Sequence, residues 1–197
     1  MSGDEDINKS LLESRIIKLT GDINEESADK IIDKLLYLDH KGNDEISLYV
    51  NSYGGSIISS LGIYDVMQNI KSPVSTIGVI KCMSAGCFVL AAGTPGKRYA
   101  LPNCTIMMHQ AHSSFSYANT EELTIRMKEH ERVVDNYFSI IAKNIGKSED
   151  YVKDLARSTN YMDATKALEL GIIDSIITPE TKVNKIGLKL NNNSKIN

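Results

Sequence analysis

The chain has 197 residues, of which 42% are hydrophobic and 24% charged, so it has room for one domain with a sizeable core. Its formal net charge of −3 gives no reason to expect a nucleic acid or an anionic membrane as partner. No apolar run approaches the roughly 20 residues that cross a bilayer, and the acidic residues 1–6 are unlike a signal peptide. We therefore expect a cytoplasmic protein with no membrane contact.

The first half of the chain alternates between patterns typical of strands and patterns typical of helices. Asn24 precedes two acidic residues and then apolar residues at helical spacing, which predicts a capped helix. Further helices are expected over 57–70 and 85–92, and strands over 15–19, 46–50, 74–80, 98–101 and 105–108. This alternation predicts α/β architecture with largely parallel strands.

The pattern changes after Gln110, where polar residues 111–119 precede a long helix predicted over about 120–144. Apolar or semi-polar residues recur along this helix at alternating steps of four and three, a spacing that forms a seam for another helix. The seam consists of Leu123, Met127, His130, Val134, Tyr137 and Ile141. It fits either the protein's own core or a contact with another subunit.

Two short helices and a final apolar run complete the chain. One helix starts near Ser148, and the other is predicted over 164–170 between a cap at Asp163 and a stop at Gly171. Neither a repeat nor a linker interrupts the sequence, which predicts a single domain over 1–197. We expect residues 1–10 to be an N-terminal leader and residues 185–197 to be a frayed tail.

Ser84 lies between small residues, at the predicted end of a strand and start of a helix, and His109 ends the apolar run 25 residues later. A serine hydroxyl becomes a nucleophile when a positioned base takes its proton, and a tight Ser-x-Gly turn exposes that hydroxyl. If the two side chains meet, the protein is an enzyme that forms covalent acyl intermediates. On spacing alone, a helix cap at Ser84 and a strand-end histidine remain open alternatives.

The three cysteines, Cys82, Cys87 and Cys104, have neither CxxC nor metal-ligand spacing. We expect them to be reduced, buried thiols, and we expect no metal site. Cys82 lies two residues before Ser84 and is therefore a rival nucleophile. A small buried core residue is the more common role for such a thiol.

Several short segments between residues 11 and 178 occur in an order, and at a spacing, that match a known family. They include Asn-Ser-Tyr-Gly-Gly at 51–55, Met-Ser-Ala-Gly at 83–86, Gly-Lys-Arg-Tyr-Ala-Leu-Pro-Asn at 96–103 and Met-Met-His-Gln at 107–110, with others at 11–17, 63–68, 74–77, 90–93 and 167–174. These segments resemble the proteolytic subunit of the Clp protease (ClpP). The resemblance implies an α/β, crotonase-like fold, a spiral of β-β-α units whose protruding handle helix would be residues 120–144.

Transferred residue by residue, the resemblance implies Ser84 as the nucleophile and His109 as the general base. It implies the amides of Gly55, which lies 29 residues before Ser84, and of Ala85 as the oxyanion hole. An amide beside the nucleophile and one from a glycine loop can both point at a developing oxyanion, so the chemistry agrees.

The resemblance further implies a serine endopeptidase subunit of an ATP-dependent Clp protease. Members of this family are homo-oligomers in which two seven-membered rings stack into a tetradecamer. An AAA+ unfoldase feeds unfolded polypeptides into the chamber of these rings. The family implies no cofactor.

The third catalytic position departs from the family pattern. The family has an aspartate there, whereas counting without gaps gives Thr159, and no carboxylate occurs from residue 155 to 162. Asp154 and Asp163 flank this gap, and we expect each to belong to a helix. A histidine without an orienting carboxylate loses control of its tautomer, so we expect weak activity from the isolated chain.

Two further segments depart from the family. Tyr53 replaces the usual proline of the Gly-Gly loop, and Ala-His-Ser-Ser at 111–114 replaces a Pro-Leu-Gly-Gly-like segment. His112 is thereby a rival base, although His109 fits the family spacing. The departures indicate a subunit that is divergent or that depends on a partner, for which a paralogous Clp subunit is a candidate. The alternative is a catalytically impaired structural subunit of a mixed barrel; a crotonase-type acyl-CoA enzyme is disfavoured by residues 81–110.

Overall fold

The structure is a computed structural model that describes residues 3–112, 119–179, 182–184 and 187–189. Its helices are α1 (Gly3–Glu13), α2 (Glu25–Lys41), α3 (Ile57–Asn69), α4 (Ala85–Ala91), α5 (Thr120–Ile145), α6 (Glu149–Leu155) and α7 (Ala164–Glu169). Its strands are β1 (Ile16–Ile23), β2 (Ile46–Gly55), β3 (Val74–Met83), β4 (Arg98–Ala100), β5 (Thr105–Met108), β6 (Asn160–Met162), β7 (Ser175–Ile176), β8 (Lys182–Asn184) and β9 (Gly187–Lys189). Among the described helices, none has both the length and the apolar character needed to cross a membrane.

The main sheet has the strand order β1-β2-β3-β4-β7, and all of these pairs are parallel. The predicted α/β architecture with mainly parallel strands is therefore confirmed. Strand β3 changes partner along its length, because Gly78 pairs with β4 whereas Lys81 to Met83 pair with β5. Strand β5 in turn pairs antiparallel with β6. The sheet thus forks beside β3, and the residues that follow β3 and β5 lie at the same end of two adjacent strands.

Helix α4 is buried along its whole length, as its small apolar residues predicted. A Cβ atom on Gly86 would lie 3.1 Å from the carbonyl oxygen of Ser52, so the helix rests directly on the backbone of β2. On its other side, the ring of Phe88 stacks on Tyr137 of α5, with the ring centroids 4.6 Å apart. Burying a side chain of this size contributes about 1.5–3 kcal/mol to folding.

The apolar side chains of α5 are buried in the second half of the helix and partly exposed in the first. In the second half of the helix, Tyr137 and Ile141 are buried in the core, together with their neighbours Phe138, Ala142 and Ile145. In the first half, Ile125 is 62% and Met127 47% exposed. An intramolecular core therefore accounts for only part of the apolar surface of α5.

Most helices begin where the sequence predicts, because their capping side chains are in place. The side chains of Asn24, Ser148 and Asp163 each accept a hydrogen bond from a backbone N–H of the first turn of α2, α6 and α7. Helix α1 was not predicted: it occupies most of the segment assigned to the leader, and its Leu12 packs against the core. Within the expected frayed tail, Gly187–Lys189 forms β9, and the other residues lie outside the described ones.

Arg98, which lies in segment 96–103, joins three parts of the fold. The side chain is 7% exposed, and its Nε and Nη2 atoms donate to Asp174 Oδ2 and Oδ1 at 2.9 and 2.5 Å. Its Nη1 atom donates to the Asn144 carbonyl oxygen at 2.8 Å, near the end of α5. Burial by itself raises the pKa of Asp174, but the hydrogen bonds and charge of Arg98 outweigh it, and the pKa is lowered.

We expect Arg98→Met to lower the free energy of unfolding by about 3–5 kcal/mol, because it leaves the carboxylate of Asp174 without its partner. Denaturation in urea measures the loss. Since the folded pKa of Asp174 is lowered, its contribution is complete above an unfolded pKa of about 3.9 and is lost as the pH falls through the folded pKa. The control is Arg157→Met at the exposed Asp154 pair, for which the change should be far smaller. Equal losses in both variants would contradict this role for Arg98.

Candidate active site

Ser84 occupies a strained turn between β3 and α4. Its φ of 53° and ψ of −121° lie in a region that side chains with a Cβ rarely adopt. The turn is fixed on both sides, since the Ser84 amide donates to the Met107 carbonyl at 2.8 Å and its own carbonyl accepts from the amides of Cys87 and Phe88. Ser84 occupies the N-cap position of α4, as that alternative has it, but its side chain makes no capping hydrogen bond to the helix. Such a turn presents a hydroxyl at the end of a strand, as nucleophilic serines require.

The Gly54-Gly55 loop lies directly against this turn. A Cβ atom on Gly54 would be 2.7 Å from the Ser84 Cβ and 3.0 Å from the Ala85 nitrogen, and one on Gly55 would be 2.2 Å from the Ile23 carbonyl oxygen. Both glycines also have positive φ angles, of 103° and 141°. The Gly54 amide donates to the buried Ser52 Oγ at 2.9 Å. It is therefore engaged within the loop, and the amide expected in the oxyanion hole is that of Gly55.

His109 follows β5 and opens on the same cavity as Ser84. This cavity has a volume of about 740 Å³, and Gly55 also lines it. Met83 pairs with Met107 across β3 and β5, which brings the residues after these two strands to one end of the sheet. The structure thus brings the predicted nucleophile, base and glycine loop together. Within the described residues, Ser84 and His109 are not joined by a hydrogen bond.

The imidazole of His109 stands beside a second imidazole. Its ring centroid lies 4.9 Å from that of His112, and the planes are tilted by 34°. Burial of His109 and, second, the charge of His112 lower the pKa of His109. A lowered pKa keeps His109 in its neutral form, which can accept a proton, to a lower pH than an ordinary histidine.

The ladder of β5 and β6 ends one residue before His109 and one residue after Thr159. Met108 pairs with Asn160 in this antiparallel ladder, so the next pair outward would be His109 with Thr159. Thr159 is exposed. The side chain of the next residue, Asn160, donates from Nδ2 to the Leu155 carbonyl oxygen at 3.3 Å. Continued by one residue, the register of this ladder would therefore set His109 against a threonine and not against a carboxylate.

The acidic residues nearest to this position have other partners. Asp154 is exposed and pairs with Arg157 at 2.5 Å, whereas Asp163 caps α7. Glu129 lines the cavity, but its two carboxylate oxygens accept from Arg132 at 2.8 and 2.7 Å. In the described part of the chain, no group of three or more His, Cys, Asp or Glu residues is placed to hold a metal ion.

The interpretation of Cys82 as a rival nucleophile is wrong. The side chain is fully buried, and its Sγ donates to the Val50 carbonyl oxygen at 3.4 Å. Hydrogen bonding with Cys104, 3.9 Å away, and burial both raise the pKa of Cys82, so it stays a thiol. Cys87 and Cys104 are also buried free thiols, as the sequence predicted.

Part of the cavity wall was not predicted from the sequence. Ile57 and Ile58 at the start of α3 and Ile125 and Val133 of α5 supply apolar surface opposite Ser84. The signal was present in α5, where residues 125, 129 and 133 are spaced by four and lie beside the seam rather than on it. Tyr53 also lines the cavity.

The sequence also matches a family model described as Clp protease, over residues 2–180. The chain belongs to the Clp protease family. Membership supports a ClpP-type serine peptidase in general terms, and it implies assembly into an oligomeric barrel that works with Clp ATPases. The predicted family and its crotonase-like fold are thereby confirmed.

We expect Gly54→Ala to lower the rate of Ser84 modification by a fluorophosphonate about 10- to 100-fold, since the added methyl group would displace the Ser84 turn. Gly96→Ala is the matched control: Gly96 also has a positive φ, of 82°, but a Cβ there meets nothing within 4 Å. That control should lose some stability and keep its labelling rate. Equal labelling rates in the two variants would show that the Gly54 contact is unimportant.

Proposed function

We propose that this chain is a serine endopeptidase subunit of an ATP-dependent Clp-type barrel. The observation that carries the proposal is the strained Ser84 turn, which opens on the same cavity as His109 and lies against the Gly54-Gly55 loop. Ser84 Oγ attacks the peptide carbonyl carbon while His109 takes the hydroxyl proton. The same imidazole then gives that proton to the leaving amine, and water hydrolyses the acyl-enzyme in a second round.

The amides of Gly55 and Ala85 stabilise the negative charge that develops on the carbonyl oxygen. Each such donor typically contributes about 3 kcal/mol to lowering the barrier. The positive charge that develops on His109 has weaker support, because the residue that would pair with it beyond the β5–β6 ladder is Thr159. In other serine proteases, loss of the orienting carboxylate lowers the rate about 10⁴-fold. A neutral hydrogen bond from Thr159 replaces part of this effect, so the isolated subunit is slow but not inert.

The substrate is an unfolded polypeptide delivered by an AAA+ unfoldase, and the assembly is a homo-oligomer of two heptameric rings. Exposed Ile125 and Met127 in the first half of α5 support the use of this handle helix in contacts between subunits. Their apolar side chains lie on the half of the helix that the core does not cover.

A catalytically impaired structural subunit of a mixed barrel is the second candidate. Two observations favour it: the register of β5 and β6, continued by one residue, sets His109 against Thr159 and not against a carboxylate, and no hydrogen bond joins Ser84 to His109 within the described residues. In that case, a paralogous Clp subunit supplies the peptidase activity. The two candidates differ in whether Ser84 reacts.

Modification of Ser84 by a fluorophosphonate tests the proposal directly. We expect the purified wild-type protein to be labelled and to hydrolyse a short fluorogenic peptide slowly, and Ser84→Ala to do neither. Mass spectrometry of the labelled peptide identifies the modified residue. A folded wild-type protein that resists labelling over pH 6–9 would favour the structural subunit instead.

We expect Thr159→Asp to raise kcat/KM for the peptide at least tenfold, because a carboxylate opposite His109 would stabilise its imidazolium. Ser158→Asp is the matched control, since it adds the same charge at the preceding position, which is also exposed. Native mass spectrometry verifies that both variants keep the wild-type assembly. An unchanged rate in Thr159→Asp, with the assembly intact, would count against the role assigned to this position.

A further inference from the structure

Tyr53 stands directly before the Gly54-Gly55 loop, and its ring has a cationic neighbour. Lys81 Nζ lies 4.0 Å from the Tyr53 ring centroid, whereas two other Lys–Tyr contacts in the described chain measure 5.5 and 5.8 Å. Tyr53 is 63% exposed and lines the cavity. Lys81 belongs to β3 and precedes Ser84 by three residues. The contact therefore connects the glycine loop with the strand that carries the nucleophile.

Gly54 and Gly55 end β2, where they pair with Asp22 and Ile23 of β1, so β1 restrains the loop on one side and the side that faces β3 needs a restraint of its own. Two consecutive glycines permit many conformations, and tyrosine does not fix its own φ angle as a proline would. The tolerance for movement is nevertheless small, since the Gly54 backbone already lies against the Ser84 Cβ and the Ala85 nitrogen. A loop that shifted away would carry the Gly55 amide out of reach of the oxyanion.

The backbone hydrogen bonds of the loop do not hold the side that faces β3. The Gly54 amide bonds within the loop to Ser52 Oγ, and the Ser56 amide donates to the Ile23 carbonyl oxygen of β1 at 2.7 Å. Pairing between β2 and β3 ends with Ser52 opposite Cys82. Beyond that pair, the Tyr53–Lys81 contact joins the loop to β3.

We propose that Lys81 is a positioning residue for the oxyanion hole, which acts by holding the Tyr53 ring and with it the Gly54-Gly55 loop against Ser84. The inference rests on the proposed peptidase function. Lys81 does not line the cavity, so it acts through Tyr53 rather than on the substrate. Its effect belongs to the transition state, where the oxyanion exists, and not to ground-state binding of the peptide.

Kinetics of Lys81→Met with a short fluorogenic peptide test this role. We expect kcat to fall about two- to fivefold with KM unchanged, which matches the 0.5–1 kcal/mol typical of an exposed cation–π contact. Lys81→Arg should keep most of the wild-type kcat, because a guanidinium also binds an aromatic face. Lys81→Gln serves as a second neutral variant if Lys81→Met fails to assemble.

A double-mutant cycle separates this role from a general effect of charge. In a Tyr53→Leu background, removing the Lys81 ammonium should cause no further loss of kcat. An unchanged kcat in Lys81→Met, a rise in KM alone, or the same loss in both backgrounds would overturn the inference. If wild-type Ser84 reacts with the fluorophosphonate, any of these results overturns the role of Lys81 alone. A wild-type protein that neither reacts nor hydrolyses the peptide overturns the proposed function and this inference together.

Discussion

The absence of space between the Gly54-Gly55 loop and the Ser84 turn is the constraint on which the site depends. A single methyl group on Gly54 would collide with the Cβ atom of Ser84, so the two segments have one mutual position. This contact sets the amide of Gly55 relative to Ser84 Oγ, and the fork of the sheet beside β3 brings His109 to the same place. Catalytic geometry here follows from close packing of backbone rather than from hydrogen bonds between the functional side chains.

Local signals in the sequence predicted much of the fold. Caps such as Asn24 and Asp163 act within one helical turn, and the small apolar residues of α4 indicate close packing by their size alone. Helix α1 was missed because Leu12 is held by the core rather than by a strong local pattern. The short strand β6 is formed by its ladder with β5, and its three residues alone do not indicate that partner, so it was not predicted.

In the site, too, the residues in recognisable segments could be predicted, whereas the side-chain contacts could not. Ser84, His109 and Gly55 stand in specific segments, so their positions could be predicted, and the cavity that they line together agrees with that prediction. The contacts of Tyr53 with Lys81 and of His109 with His112 depend on where side chains point, which spacing does not specify. The third catalytic position stays a prediction: a gap-free count along the chain names Thr159, and the ladder of β5 and β6 ends one residue away, at Met108 and Asn160.

The stacked rings of Phe88 and Tyr137 link the nucleophile to the outer surface of the protein. Phe88 lies in α4, which begins immediately after Ser84, and Tyr137 lies in α5, whose first half exposes Ile125 and Met127. Planes inclined by only 19° at 4.6 Å leave little freedom for one ring to slide without the other. A shift of α5 at Tyr137 would therefore press on Phe88, whose backbone amide donates to the Ser84 carbonyl oxygen.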